Sequence, residues 1–277
     1  MRVRILHTTR LEYTAEVVES VMDTRLGPRT DEHQRWERFD LRVDPPASVR
    51  RYGDAFGNVA HLISLARPHR HVEIVTRSEV ETLLADPFAT PRDAPRPIDP
   101  SDRHDYLGPS ALIPLTLRLA GLAEDARPKD GDAFAAATRL MQLVHAEFAY
   151  TPDSTTVETA VPDVLESRAG VCQDLAHVLV GLCRSVGIPA RYVSGYIVTG
   201  AGKDEPRRGA GHSHAWAEAW SATHGWRGFD PTNGLLASEH HVKMALGRDY
   251  RDVPPTKGTF RGDAAETLSV RVSATRT

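Results

Sequence analysis

The chain has 277 residues, 40% hydrophobic and 26% charged, ordinary values for one large globular domain or two smaller ones. Its 34 basic and 37 acidic side chains leave a net charge of −3, so no global basic field points to nucleic acid or anionic lipid. No run of about 18 apolar residues is available to span a bilayer, and residues 1–8 alternate in polarity instead of forming a secretory leader's apolar stretch. The expectation is a cytoplasmic protein with neither membrane nor nucleic-acid partners.

Residues 1–90 read as a β domain. Val3 and Ile5 alternate with arginines, Leu11 and Tyr13 continue the period, and Phe39, Leu41 and Val43 resume it before Asp44-Pro-Pro46. Asp54-Ala-Phe-Gly-Asn58 is turn chemistry, followed by strands through Val59, His61 and Ile63 and over 71–76. Short strands at this spacing predict a small sandwich or barrel and not βαβ units. Pro87, Pro91, Pro95, Pro97 and Pro100 then mark a linker. Helical pieces follow over 101–122, limited by Pro109 and Pro114, and a firmer helix over 132–148 places Phe134, Ala137, Leu140, Met141, Val144 and Phe148 on one face. After a short helix at 163–166, residues 172–186 are apolar on all sides, as in a helix buried at a domain centre, and Gly187 and Pro189 end it. Strands are expected over 190–198, 213–220 and 226–230, with a last one at 267–273 able to close either sheet. The fold class is α+β: a β-sandwich-like domain, 1–90, and a second domain, 91–277.

Three motifs carry the chemistry: Arg168-Ala-Gly-Val-Cys-Gln-Asp174, Ser213-His-Ala-Trp216 and Gly228-Phe-Asp-Pro231. Cys172 opens the apolar helix, where unpaired amides and the helix dipole favour a thiolate and can receive an oxyanion. His214 begins a strand whose other face is Ala215, Ala217 and Ala219, suited to close packing on a helix. The next strand, folded back by a turn near His224, brings Asp230 within about two residues of the position opposite His214, close enough to orient an imidazole. Cys183 lies 11 steps beyond Cys172, about 16 Å along a helix, too far for a disulfide or a shared metal; packing is its role. His177 points away from Cys172 as a core residue, and Asp174 suits the helix start. Gln173, Tyr150 and Trp216 are candidates for oxyanion or substrate contact, and Trp220 and the 199–211 loop with Arg207 and Arg208 for lining the cleft.

One rival reading uses the same strand. His212, His214 and Glu218 share strand parity and resemble the first metal motif of cupins, but the second motif is missing and His240 and His241 fall in a polar, helix-like stretch. No metal or other cofactor is expected.

The three motifs, in this order and with Gly187-Ile-Pro-Ala-Arg-Tyr-Val-Ser-Gly195 between them, resemble the core of bacterial transglutaminase-like proteins, the cysteine-protease type among them. Leu26-Gly-Pro-Arg29, Asp54-Ala-Phe-Gly-Asn58 and Pro68-His69 resemble the β domain that precedes this core, so the likeness spans nearly the whole chain. It implies a papain-like core with Cys172, His214 and Asp230 as a catalytic triad, acting on amide bonds of peptides or proteins. Hydrolysis by a protease or amidase is expected over crosslinking by a transglutaminase proper, as no acidic cluster resembles a calcium loop. A noncatalytic peptide-binding protein with the same cleft is the remaining alternative.

Overall fold

The computed structural model describes residues 1–128, 131–198, 208–209 and 211–277. Six strands come first: β1 (Arg2–Val17), β2 (Glu19–Gly27), β3 (Gln34–Asp44), β4 (Ser48–Gly53), β5 (Val59–Leu65) and β6 (His69–Thr82). Helices α1 (Pro100–Leu107), α2 (Leu117–Ala123) and α3 (Ala133–Glu147), strand β7 (Ala149–Tyr150), helix α4 (Val161–Ser167), strand β8 (Ala169–Gly170) and helix α5 (Cys172–Ser185) follow. The chain continues through β9 (Ala190–Ile197), β10 (Ser213–Ser221), β11 (Gly225–Asp230), β12 (Leu235–Leu236) and β13 (His241–Gly247), then β14 (Thr256–Arg261) and β15 (Glu266–Arg276).

The early strands form two four-stranded sheets, ordered β15-β1-β6-β3 and β14-β2-β5-β4. Their facing sides bury Leu11, Tyr13, Val17, Met22, Leu26, Ile63, Leu65, Val72 and Ile74, in line with the period-two pattern. The pairing decides which of the two sheets the last strand closes. Strands β14 and β15 join β2 and β1, so the end of the chain returns to the first sandwich and not to the sheet of residues 190–247. Strands β2 and β4 escaped the pattern for physical reasons. Every second residue of β2 is buried, but two of these are Ser20 and Thr24; β4 is an edge strand exposed at almost every position.

The second unit is a five-stranded antiparallel sheet, β12-β11-β10-β9-β13. Ala217 and Ala219 pack with Leu175, Val178, Leu179 and Leu182 of α5, with α3 and α4 completing that core. Small residues on the strand let the helix approach closely, and each large aliphatic side chain buried there contributes about 1.5–3 kcal/mol. Asp132 caps α3 by accepting from the Ala135 amide at 2.9 Å, at the expected start. The two units meet through Val3, Ile5, Val80 and Ala274 on one side and Tyr196, Val198, Val242 and Met244 on the other.

The stretch after His240, expected to be helix-like, is instead the edge strand β13. Side-chain amides of the first unit occupy its outer edge. Gln34 Oε1 accepts from Lys243 N at 2.8 Å while its Nε2 donates to Lys243 O at 2.7 Å. Asn58 repeats the device on Leu246, accepting at 2.9 Å and donating at 2.8 Å. Two side chains thereby stand in for a neighbouring strand and leave those backbone groups paired.

Candidate active site

Helix α5 starts where the sequence predicts, and its start is built by contact. A Cβ on Gly170 would lie 2.6 Å from the Cβ of Asp174, so only glycine fits there. Asp174, fully buried, accepts from Val171 N at 2.8 Å and from the Thr155 hydroxyl at 2.6 Å. It caps the helix and ties down the preceding loop. Gln173 donates from Nε2 to Val157 O at 3.1 Å and is spent on the same loop. Cys172 at the helix tip is half-buried, whereas Cys183 is fully buried and burial pushes its thiol up to about 12.

His214 and Asp230 meet as the hairpin argument requires. His214 Nε2 lies 2.8 Å from Asp230 Oδ2, and the two residues are 2% and 0% exposed. Burial opposes the imidazolium, but the Asp230 charge and hydrogen bond, with a further contribution from Cys172, outweigh it and push His214 up to about 10. Burial likewise opposes the Asp230 anion, yet His214 and then His241 hold that carboxyl well below the usual range. With Nε2 committed to Asp230, Nδ1 is buried and has no other partner among the described residues.

Asp230 collects more donors than the sequence suggests. Oδ2 also accepts from Asn233 Nδ2 at 2.7 Å and lies 3.3 Å from His241 Nε2. Oδ1 accepts from Thr232 N at 3.0 Å and Asn233 N at 3.2 Å. Asn233 is legible in hindsight, since Asp-Pro-Thr-Asn is an Asx-type turn. It also pairs with the Arg208 backbone, accepting from N at 2.9 Å and donating to O at 3.2 Å. His241 left no local signal.

The remaining candidates separate. Tyr150 lies near enough to Cys172 that, after burial, the cysteine's charge raises its hydroxyl, and Arg208 sits over its ring at 5.4 Å. Tyr192, which lies within the Gly187–Gly195 motif but was not among the site candidates, has the same two influences in the same order, and its hydroxyl is held well above its ordinary value. Trp216 is 1% exposed, packs beside His214 with ring centroids 6.2 Å apart, and lines only a cavity of about 30 Å³ with Glu218, His241 and Lys243. Trp220 lies six residues along β10 from His214, about 20 Å at strand rise; it lines a separate cleft of about 720 Å³ with Trp226, Asp31, His33 and Lys243. Residues 199–207 and 210 of the expected cleft loop, Arg207 included, lie outside the described residues.

The cupin-like set does not assemble. His212 is exposed, His214 is bound to Asp230, and Glu218 is held by Arg191 at 2.6 Å and Lys243 at 2.5 Å. No cluster of three metal-ligating side chains occurs among the described residues. His177 is a core residue as expected: its Nε2 accepts from Tyr250 N at 3.1 Å, and burial pushes it down to about 3.

A half-buried cysteine at a helix tip, packed on a sheet that carries a histidine–aspartate pair, defines the class of transglutaminase-like cysteine-enzyme folds. Comparison with known proteins agrees. Residues 120–231 match the transglutaminase-like superfamily core, and residues 3–81 the bacterial transglutaminase-like N-terminal region. An uncharacterized protein of Mycobacterium leprae is 33% identical over 287 residues, 99% of each chain. One of Mycobacterium tuberculosis is 31% identical over 279 residues, 93% of this chain and 87% of that one. The crystal structure of a candidate cysteine protease from Cytophaga hutchinsonii superposes with a TM-score of 0.77 at 23% identity, covering 100% of this chain and 91% of that one. This chain belongs to the transglutaminase-like superfamily. No helix among the described residues is long and apolar enough to cross a membrane.

Proposed function

We propose that the protein is a thiol-dependent acyl-transfer enzyme that hydrolyses amide bonds of peptides or proteins. The observation that carries this reading is the dry His214–Asp230 pair at 2.8 Å, with Nδ1 left for the cysteine at the tip of α5. Asp230 fixes the ring and favours its charged form. The Cys172 proton passes to His214 Nδ1 and Sγ attacks the carbonyl carbon, forming the C–S bond. The oxyanion is received by amides of the first turn of α5, which lack intrahelical partners. The imidazolium then protonates the departing nitrogen as the C–N bond breaks. Water adds to the resulting thioester, giving up its proton to His214, and a carboxylic acid leaves as the thiol is restored. No step calls for a cofactor.

An amine could replace water in the last step, which would make the protein a transglutaminase proper. Hydrolysis is favoured because water needs no second binding site, and the name of the Cytophaga hutchinsonii protein points the same way. The cytoplasmic location expected from the sequence is part of this proposal, and cell fractionation tests it. For the reaction, wild type and Cys172→Ala are incubated with a peptide library and an amine donor. Mass spectrometry then separates cleavage, deamidation and amine incorporation. Cleavage or deamidation by wild type alone supports the reading, and amine incorporation moves it to crosslinking. Absence of turnover, together with Cys172 alkylation by iodoacetamide no faster than that of free cysteine at pH 7, would leave a peptide-binding protein.

A further inference from the structure

The Asp230 carboxylate serves two imidazoles. His241 enters from β13, at the edge of the sheet beyond β9, whereas Asp230 ends β11 on the far side of β10. The turn Ser238–His241 makes the crossing, closed by His241 N donating to Ser238 O at 2.9 Å. The ring is then pinned on three sides. Ser238 N donates to Nδ1 at 3.3 Å, Nε2 faces Asp230 Oδ2 at 3.3 Å, and Trp216 meets the ring edge-on with centroids 5.2 Å apart. The space for that tryptophan comes from Gly195, where a Cβ would lie 2.5 Å from the Trp216 ring.

These contacts fix the tautomer. Because Nδ1 accepts from a backbone N–H, the proton must sit on Nε2, which therefore donates to Asp230. Oδ2 then holds His214, Asn233 and His241 at once, and the carboxylate and both imidazoles are buried. A buried carboxylate with one donor can swing about its Cα–Cβ bond, whereas one with donors converging from three elements cannot.

We propose that His241 is a positioning residue: as a neutral Nε2–H donor it fixes the Asp230 carboxylate so that His214 presents Nδ1 to Cys172. This inference rests on the Cys172–His214–Asp230 reading above and extends it to a second histidine. Trp216, packed against both rings, sets the distance between them.

The test compares His241→Asn with His241→Gln, using thiol-dependent peptide turnover and iodoacetamide alkylation of Cys172. Asparagine places its amide near the Nδ1 position, so it can still meet Ser238 but cannot reach Asp230; glutamine can reach Asp230. Both remove the ring, so a merely structural role would be lost equally in the two. The expected result is a fall of about 10–30-fold in kcat with KM unchanged for asparagine, within the worth of a hydrogen bond to a charged group. Glutamine should recover to within about threefold of wild type. Equal activity of the two variants would overturn the proposal while leaving the triad reading intact, provided Cys172→Ala is inactive. If Cys172→Ala is as active as wild type, the triad reading fails first. Should neither variant fold, ¹⁵N-histidine NMR of the wild type decides. His241 must be the neutral Nε2–H tautomer at pH 7, and an Nδ1–H tautomer or an imidazolium there would overturn it.

Discussion

Strand β10 carries two buried ionisable clusters four residues apart, and they are used differently. His214 and Glu218 share one parity, and each cluster is reached from β13, the first by His241 through Asp230 and the second by Lys243 on Glu218 itself. At Glu218 every charge is met. Arg191 and Lys243 both bind the carboxylate, Lys243 also binds Asp31 of the first unit at 2.6 Å, and Arg191 stacks on Trp226 at 3.9 Å. Burial opposes the Glu218 anion, but Lys243 and Arg191 bring it down to about 2. At His214 one ring nitrogen is bound to Asp230 and the other has no hydrogen-bond partner among the described residues. The saturated cluster fastens two units together; the unsaturated one keeps open the nitrogen that the proposed proton transfer uses.

The widest contrast between the clusters should come from Asp230→Asn. The change removes the charge that holds His214 protonated and leaves its five donors facing an amide. In a serine triad the equivalent change costs about 10⁴-fold; a thiol is intrinsically the stronger nucleophile and leans less on its base, so a loss of about 10²–10³-fold is expected. Turnover and Cys172 alkylation measure it, with near-UV circular dichroism as the folding control. Full activity in a folded variant would take Asp230 out of the mechanism.

Glu218→Gln should do the reverse, lowering stability while sparing the chemistry. Leaving Arg191 and Lys243 short of a buried anion costs about 3–5 kcal/mol, which in a chain of this size lowers Tm by roughly 5–10 °C. The carboxylate's contribution is present above its ordinary value near 4.5 and is lost as pH falls through about 2. The wild-type advantage in urea midpoint should therefore shrink between those limits. A variant that melts normally but is inactive would reverse the assignment of the two clusters.

A third buried group sharpens the comparison at the junction of the two units. His7 Nδ1 pairs with the Tyr196 hydroxyl at 2.7 Å and Nε2 with Thr9 Oγ1 at 2.8 Å, and burial pushes the ring down to about 4. Its folded form is neutral, so the contribution is complete above the ordinary value of 6.5 and is lost as pH falls towards 4. Wild type should lose about 2–3 kcal/mol between pH 7.5 and 4.5 through this residue. His7→Gln should flatten that part of the urea-unfolding profile; an unchanged slope would mean that His7 is not the sensitive group.

Local chemistry wrote much of this protein into its sequence. The alternation of β1, β3, β5 and β6, the apolar helix α5 with its glycine-flanked start, and the alanine face of β10 are short-range patterns. Each binds its residues to one period or one turn. The hairpin geometry that joins His214 to Asp230 is local too, sixteen residues apart through one turn. What the tertiary structure decided lies at longer range. His-Val-Lys-Met-Ala-Leu-Gly at 241–247 is a strand because β9 pairs with one edge and the Gln34 and Asn58 amides, about two hundred residues earlier, satisfy the other. The Pro-rich segment separates two units, but β14 and β15 come back to the first because β2 and β1 offer open edges. Trp216 is motif-borne yet buried, since its face of the sheet is closed by the same crossing that delivers His241. Backbone donors and acceptors must be paired wherever water is excluded, and which partner does so is fixed only when the whole chain is in place.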